Sequence, residues 1–187
     1  MPATLLTPPA TEPLSLADAK ALLRVAHDDD DAVIASLLSA ARAQVEALAR
    51  RALITQVWRL ALDRWPTDGR IAPRIGPLRD VIAARVFDAA GTPLAVDVER
   101  FLVSPQFNAI HAPNWSLPAP GRDRAGIELD IEIGFGGAED VPQPLRQAVR
   151  ALLAHWYENR GLVAIGTAVT LPAGVAALIA SYRTMSL

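Results

Sequence analysis

Apolar residues recur at steps of three and four across the second quarter of the chain. Ile34, Leu37, Leu38, Ala41, Val45 and Leu48 form one stripe, which predicts an amphipathic helix with Arg42, Glu46 and Arg50 on its solvated side. Ahead of it, Ser15-Leu-Ala-Asp18 has the spacing of a capping box, with Asp in place of Glu or Gln, and opens a short helix through about Arg24. The acids Asp28 to Asp31 stand just before the long helix, where caps and the helix dipole favour negative charge.

After Arg51 the period falls to two. Trp58, Leu60 and Leu62 alternate with Arg59, Ala61 and Asp63, a strand that ends at Trp65-Pro66. Residues 71–75 and 81–87 are further strand candidates, the second closed by the turn Asp88-Ala-Ala-Gly91. Short runs at 94–98, 101–104 and 108–112 complete a small antiparallel sheet, and 113–126, rich in Pro, Gly and Arg, reads as a loop. The clearest strand is 127–135: Ile127, Leu129, Ile131, Ile133 and Phe135 face one way, Glu128, Asp130 and Glu132 the other. After the turn Gly134–Gly137, Asp140 is placed to cap a helix with Pro142 and Pro144 in its first turn. Its stripe is Leu145, Ala148, Val149, Leu152 and Trp156, and Gly161 is its stop. A last short helix covers about 173–181.

The expected class is therefore α+β: a small helical bundle, an antiparallel sheet insert and an extended C-terminal tail. The expected layout is a flexible arm over 1–14, a body over 15–160 and a tail over 161–187. In the body, helices at 15–51 and 142–160 flank a β-rich insert at 54–136. The arm holds four prolines and no basic residue, so it lacks the positive start of a secretory signal. It is expected to be extended, either free or lying on a neighbouring subunit. The tail contains 22 consecutive uncharged residues between Arg160 and Arg183. Pro172 and Gly161, Gly166 and Gly174 interrupt it, so it does not read as a membrane span. Either it folds back on its own core, or it completes its folding against another protein.

Composition narrows the function classes. The chain has 187 residues, 51% of them hydrophobic, and a formal net charge of −2, which fits one core-forming domain and does not fit disorder or a phosphate-gripping surface. Without cysteine there is no disulfide, thiolate metal site or cysteine nucleophile. His27, His111 and His155 are too far apart for a metal pair, and His155 beside Trp156 reads as a packed residue. One lysine against 17 arginines reflects a GC-rich coding sequence and carries no function.

The remaining candidates for chemistry are acidic. Asp28–Asp31 lacks the spacing of an EF-hand loop. Glu128, Asp130 and Glu132 read as a solvated strand face, with two functional variants: the wall of an aqueous channel, or, with Asp29 and Asp31, the ligands of a metal-dependent hydrolase. Gly134–Gly137 lacks the Lys and Ser/Thr of a phosphate loop, and neither GxSxG nor HExxH occurs. No nucleophile, base and orienter assemble, so neither an enzyme nor a cofactor is expected.

The order of segments has a resemblance. Leu16-Ala-Asp-Ala-Lys-Ala-Leu-Leu-Arg-Val25, the acids, Ala41-Arg42, Val45-Glu46 and Arg51-Ala-Leu-Ile-Thr-Gln-Val-Trp58 resemble the start of tailed-phage head–tail connector (adaptor) proteins. The similarity continues through Pro142-x-Pro-Leu-Arg-Gln-Ala-Val149, His155-Trp-Tyr-Glu-Asn-Arg160, Gly174-Val-Ala-Ala-Leu178 and Tyr182-Arg183, and is weakest in the insert. Relatives also occur in gene transfer agents, the phage-like particles encoded in some bacterial genomes, and the segments leave the two sources open.

The resemblance implies a virion subunit assembled in the bacterial cytoplasm. Such subunits form a ring, commonly of a dozen copies, beneath the portal protein; the ring extends the DNA channel and carries the next neck, stopper or tail protein. DNA passes through without specific binding. It further implies that the C-terminal segment docks on the portal. Leu171, Val175, Leu178, Ile179 and Tyr182 would then supply roughly 1.5–3 kcal/mol each before ordering costs, with Arg183 as a polar anchor. Glu128, Asp130 and Glu132 would face the channel. Another neck or tail-completion subunit is the alternative within the same kind of particle.

Overall fold

The structure is a computed structural model, and it describes residues 1–113, 116–159 and 171–183. It has the expected α+β class, divided into two compact units: Met1–Ala10 with Thr55–Gly134, and Thr11–Ile54 with Phe135 onward.

The second unit is helical: α1 Leu16–Leu23, α2 Asp31–Ala49, α3 Gln143–Glu158 and α4 Ala173–Ala180. Ser15 caps α1 as its spacing predicts. Its Oγ accepts the Asp18 N–H at 3.0 Å and donates to the Asp18 carboxylate at 2.7 Å. The α2 stripe is buried through Ile34, Leu38, Ala41, Val45 and Ala49, against Leu145, Ala148, Val149, Leu152 and Leu153 of α3. Both α1 and α2 stop at an arginine in the left-handed conformation, Arg24 and Arg50, with φ of 57° and 53°.

Three local expectations are corrected here. Asp140 does not cap α3: it ends a 3-10 turn, Ala138–Asp140, and its Oδ2 accepts the Gly137 N–H at 2.9 Å, while Pro142 stands at the α3 N-cap. Arg42 and Glu46 are not on a solvated face. Glu46 is buried because its Oε1 accepts the Leu53 N–H at 2.8 Å, satisfying the chain just after α2; Arg42 follows it, bonding Glu46 at 2.6 Å and Glu12 at 2.8 Å. α3 ends at Glu158 with Asn159 as its C-cap, before Gly161, which lies outside the described residues.

The first unit is built on sheets. Strands β1 Ala3–Thr7, β2 Gln56–Leu62, β4 Leu78–Phe87, β5 Pro93–Val96 and β8 Ile127–Ile133 form an antiparallel sheet in the order β1-β2-β8-β4-β5. A second sheet takes β3 Arg70–Ile71, β7 Ala109–His111 and β6 Leu102–Ser104 in the order β3-β7-β6. The single small sheet expected from the short runs is thus two sheets. The candidate at 71–75 shrinks to two residues.

β8 is the centre of the larger sheet. Ile127, Leu129, Ile131 and Ile133 are fully buried, as their alternation predicts, each stabilising the unit by roughly 1.5–3 kcal/mol. β4 starts three residues before its apolar alternation because bulges at Leu78/Asp80 and Val81/Ala83 break the period of two. The turn after it is as expected: the Gly91 N–H reaches Asp88 O at 3.0 Å and Gly91 has φ +86°. The arm expected over 1–14 is not free along its length. Ala3–Thr7 pair with β2 as an edge strand with every residue exposed, and Leu14 is buried in the helical core.

Candidate docking surfaces

Register sets Arg59 of β2 beside Asp130 and Arg85 of β4 beside Glu128. Arg59 makes a two-pronged bond to Asp130, 2.7 Å from Nε and 3.0 Å from Nη2, and Arg85 Nη1 adds a third at 2.9 Å. Arg59 also approaches Glu128 at 3.3 Å, and Arg79 holds Glu132 at 3.0 Å.

The Asp130 side chain is only 7% exposed, whereas Glu132 is 33% exposed. The solvated acidic face expected from the alternation is therefore a row of acids matched by three arginines. The hydrogen bonds from Arg59, with those from Arg85, hold the Asp130 carboxyl below the usual aspartate range despite its burial. Both Asp130 oxygens, and one oxygen each of Glu128 and Glu132, are thereby committed to arginines. Among the described residues, no group of three or more His, Asp or Glu is placed to hold a metal.

Asp28–Asp31 is likewise absorbed into the fold. Lys20 bridges Asp28 and Asp31, the latter at 2.6 Å, and Tyr157 donates to Asp30 at 2.5 Å. Asp30 stands at the α2 N-cap without a side-chain cap bond, so tertiary contacts have replaced the capping role expected of these acids. Asp29 remains exposed, near His27.

The apolar tail divides by face. Val175 and Ile179 are buried in the helical core; Leu178 and Tyr182 pack against it partly buried. Leu171 is 36% exposed, and Arg183 is exposed. Arg51 Nε donates to Tyr182 O at 3.1 Å and ties the end of α4 to the chain after α2. The segment thus satisfies its own core with one face and leaves Leu171 and Arg183 exposed.

Two features went unread in the sequence. Leu94, Leu102 and Phe107 are 58%, 67% and 66% exposed, the highest values for large apolar side chains among the described residues. α2 also presents an uncharged outer face of Val33, Ser36, Ala40, Ala43 and Ala47. The signal for the second was available, because these positions also recur at steps of three and four.

Comparison with known proteins follows the same segments. Residues 13–76 match the family described as Phage gp6-like head-tail connector protein. Three solved structures contain a chain similar along this chain's whole length, each match covering 100% of it and 97% of the other. In the neck of an empty gene transfer agent particle computed with C6 symmetry, identity is 32% and the TM-score 0.82. In the virion of a native gene transfer agent particle the values are 33% and 0.82. In the neck of a native particle computed with C12 symmetry they are 33% and 0.75. No curated protein matches.

Proposed function

The chain belongs to the head–tail connector family, a structural component of the particle neck, and from that premise we propose that identical copies form a ring there. The observation that carries this reading is the full-length likeness to a chain of gene transfer agent necks, computed with six-fold and twelve-fold symmetry. Twelve copies is the proposed number. The ring sits under the portal protein, continues the DNA channel, and carries the next stopper or tail protein. Its role is contact rather than catalysis, in keeping with a sheet face whose charged groups are committed to one another.

For the channel wall, the proposal is the face of Glu128, Asp130 and Glu132 together with their arginines. Arg59, Arg79 and Arg85 match the three acids one for one, so the face neither grips nor strongly repels a passing polyanion.

For the portal contact, the proposal is the C-terminal segment, acting through the side it does not spend on its own core. Leu171 and Arg183 are the outward groups; Val175, Leu178, Ile179 and Tyr182 hold the segment in place. Removing residues 171–187 would open the helical core, so the test is Leu171→Asp with Arg183→Glu, both at exposed positions. The variant should fold with an unchanged melting temperature and fail to join portal-bearing heads in a co-sedimentation assay. Normal joining would exclude the docking role.

A further inference from the structure

Phe107 is an aromatic side chain held out in solvent by a braced turn. It ends the 3-10 turn Pro105–Phe107, and Asn108 follows in the left-handed conformation at φ +47°. The Asn108 side chain braces that turn on two sides. Its Oδ1 accepts the Leu78 N–H at 2.8 Å, and its Nδ2 donates to Pro73 O at 2.8 Å. Gly76 leaves the room for this, since a Cβ there would sit 2.3 Å from Asn108 Oδ1. An exposed aromatic with two side-chain torsions, carried on a braced turn, loses little entropy when it is buried at a contact, which is the character of an interface anchor. Leu102, on the edge strand β6, is as exposed and stands five positions earlier.

The outer face of α2 has the opposite relief. Val33, Ser36, Ala40, Ala43 and Ala47 are small or short and exposed over nearly the whole 19-residue helix, about 28 Å long. Its two charged residues beyond the first turn, Arg42 and Glu46, are turned inward and paired, so covering the outer face strands no charge. One chain therefore carries a projecting apolar anchor and a smooth, uncharged helix face of small side chains. They are complementary to each other, not each to itself.

We propose that Phe107, with Leu102, seats against the outer face of α2 on a second copy of this chain, as the repeating contact of the ring. This rests on the ring reading above. A cyclic ring needs a head-to-tail contact between two different patches, and this pair supplies one. A stable contact takes about 800 Å² from each partner, so Phe107 and Leu102 would be its centre and residues flanking both patches would complete it.

The chain has no cysteine, so disulfide trapping starts from a clean background. Particles are assembled from the full chain carrying Ala40→Cys and Gln106→Cys together, which leaves the Phe107 anchor in place, then oxidised and run without reductant. The expected result is a ladder of covalent multimers beyond the dimer, with none from either single variant. A populated neck without a ladder would overturn this contact alone; so would dimers from the Gln106→Cys variant by itself, or trapping onto a different protein. Absence of the unmodified chain from the neck would overturn the ring reading and the contact with it. In parallel, Phe107→Ser should leave the melting temperature of the purified chain unchanged and lower its occupancy of the neck by about tenfold or more. Unchanged occupancy would also overturn the contact.

Discussion

Each compact unit of this chain buries a carboxylate, and the two are handled in opposite ways. In the sheet unit, Asp130 is gripped by Arg59 and Arg85 and its pKa is pushed down. In the helical unit, Glu46 meets one arginine and a backbone N–H, and burial dominates and pushes its pKa up. The cause is geometric. A central strand has a neighbour on each side, so register can deliver a cation from both; a helix reaches its buried acid along one line, through the i,i+4 partner Arg42. Glu46 is also packed more deeply than Asp130, so desolvation and the number of cations that the architecture can bring act together to set the two charge states.

The largest expected effect breaks the doubly gripped member. Asp130→Asn keeps the shape but removes the charge that holds two guanidinium groups. Arg59 and Arg85 are each about a third exposed, so solvent recovers part of the loss, and the cost should be about 2–3 kcal/mol. Hydrogen exchange read segment by segment should show it over β2, β4 and β8, with α2 and α3 unaffected. Equal loosening of both units would mean that the row of ion pairs does not belong to the sheet unit alone.

This comparison also marks what could be read from residue order. The alternation of 127–133 announces β8 and its buried face, since period and burial are the same fact for a strand. The partners of the acids are a different matter. Arg59 lies 71 positions from Asp130 and Arg85 lies 45, and nothing in the spacing of Glu128, Asp130 and Glu132 records a neighbouring strand's side chains. The bulges of β4 hide its contribution further. Glu46 was misplaced because a charged residue in a helix defaults to solvent, and the Leu53 N–H that draws it inward belongs to the next segment. The tail was legible as uncharged and apolar, and its division into a core-bound face and an outward Leu171 became visible only with α3 beside it. Phe107 was lost among short runs that split between two sheets. The order of segments over the helices carried the family, where spacing is set by local packing.

A second test separates the two carboxylates by pH. Asp130 binds its proton less tightly folded than unfolded, so its contribution is complete above the ordinary aspartate range and is lost as pH falls through its lowered value. Glu46 binds its proton more tightly folded. Stability from that group is greatest at low pH and declines as pH rises from the ordinary glutamate range through the raised value. Urea unfolding between pH 7 and pH 3, read by segment exchange, should weaken the sheet unit first while the helical unit gains. Glu46→Gln should remove most of that gain and be neutral or mildly stabilising at pH 7, because the amide still accepts from Leu53 and no longer buries a charge, which offsets its lost bond to Arg42. A helical unit whose pH dependence is unchanged in the variant would leave Glu46 without the role given to it.

The smallest effect is on β8 itself, two positions from the largest. Glu132 is held by Arg79 at 3.0 Å, a length no worse than one of the Asp130 bonds, but the acid is far more open than Asp130, at 33% exposure, and its arginine somewhat more open than Arg59 or Arg85, at 43%. An exposed pair contributes little because water competes for both groups and salt screens them. Glu132→Gln should therefore shift the unfolding free energy by less than about 0.5 kcal/mol, and raising the salt should shrink even that. If Glu132→Gln cost as much as Asp130→Asn, the row would have to act as one cooperative network, and the number of partners around each acid would no longer explain the difference between them.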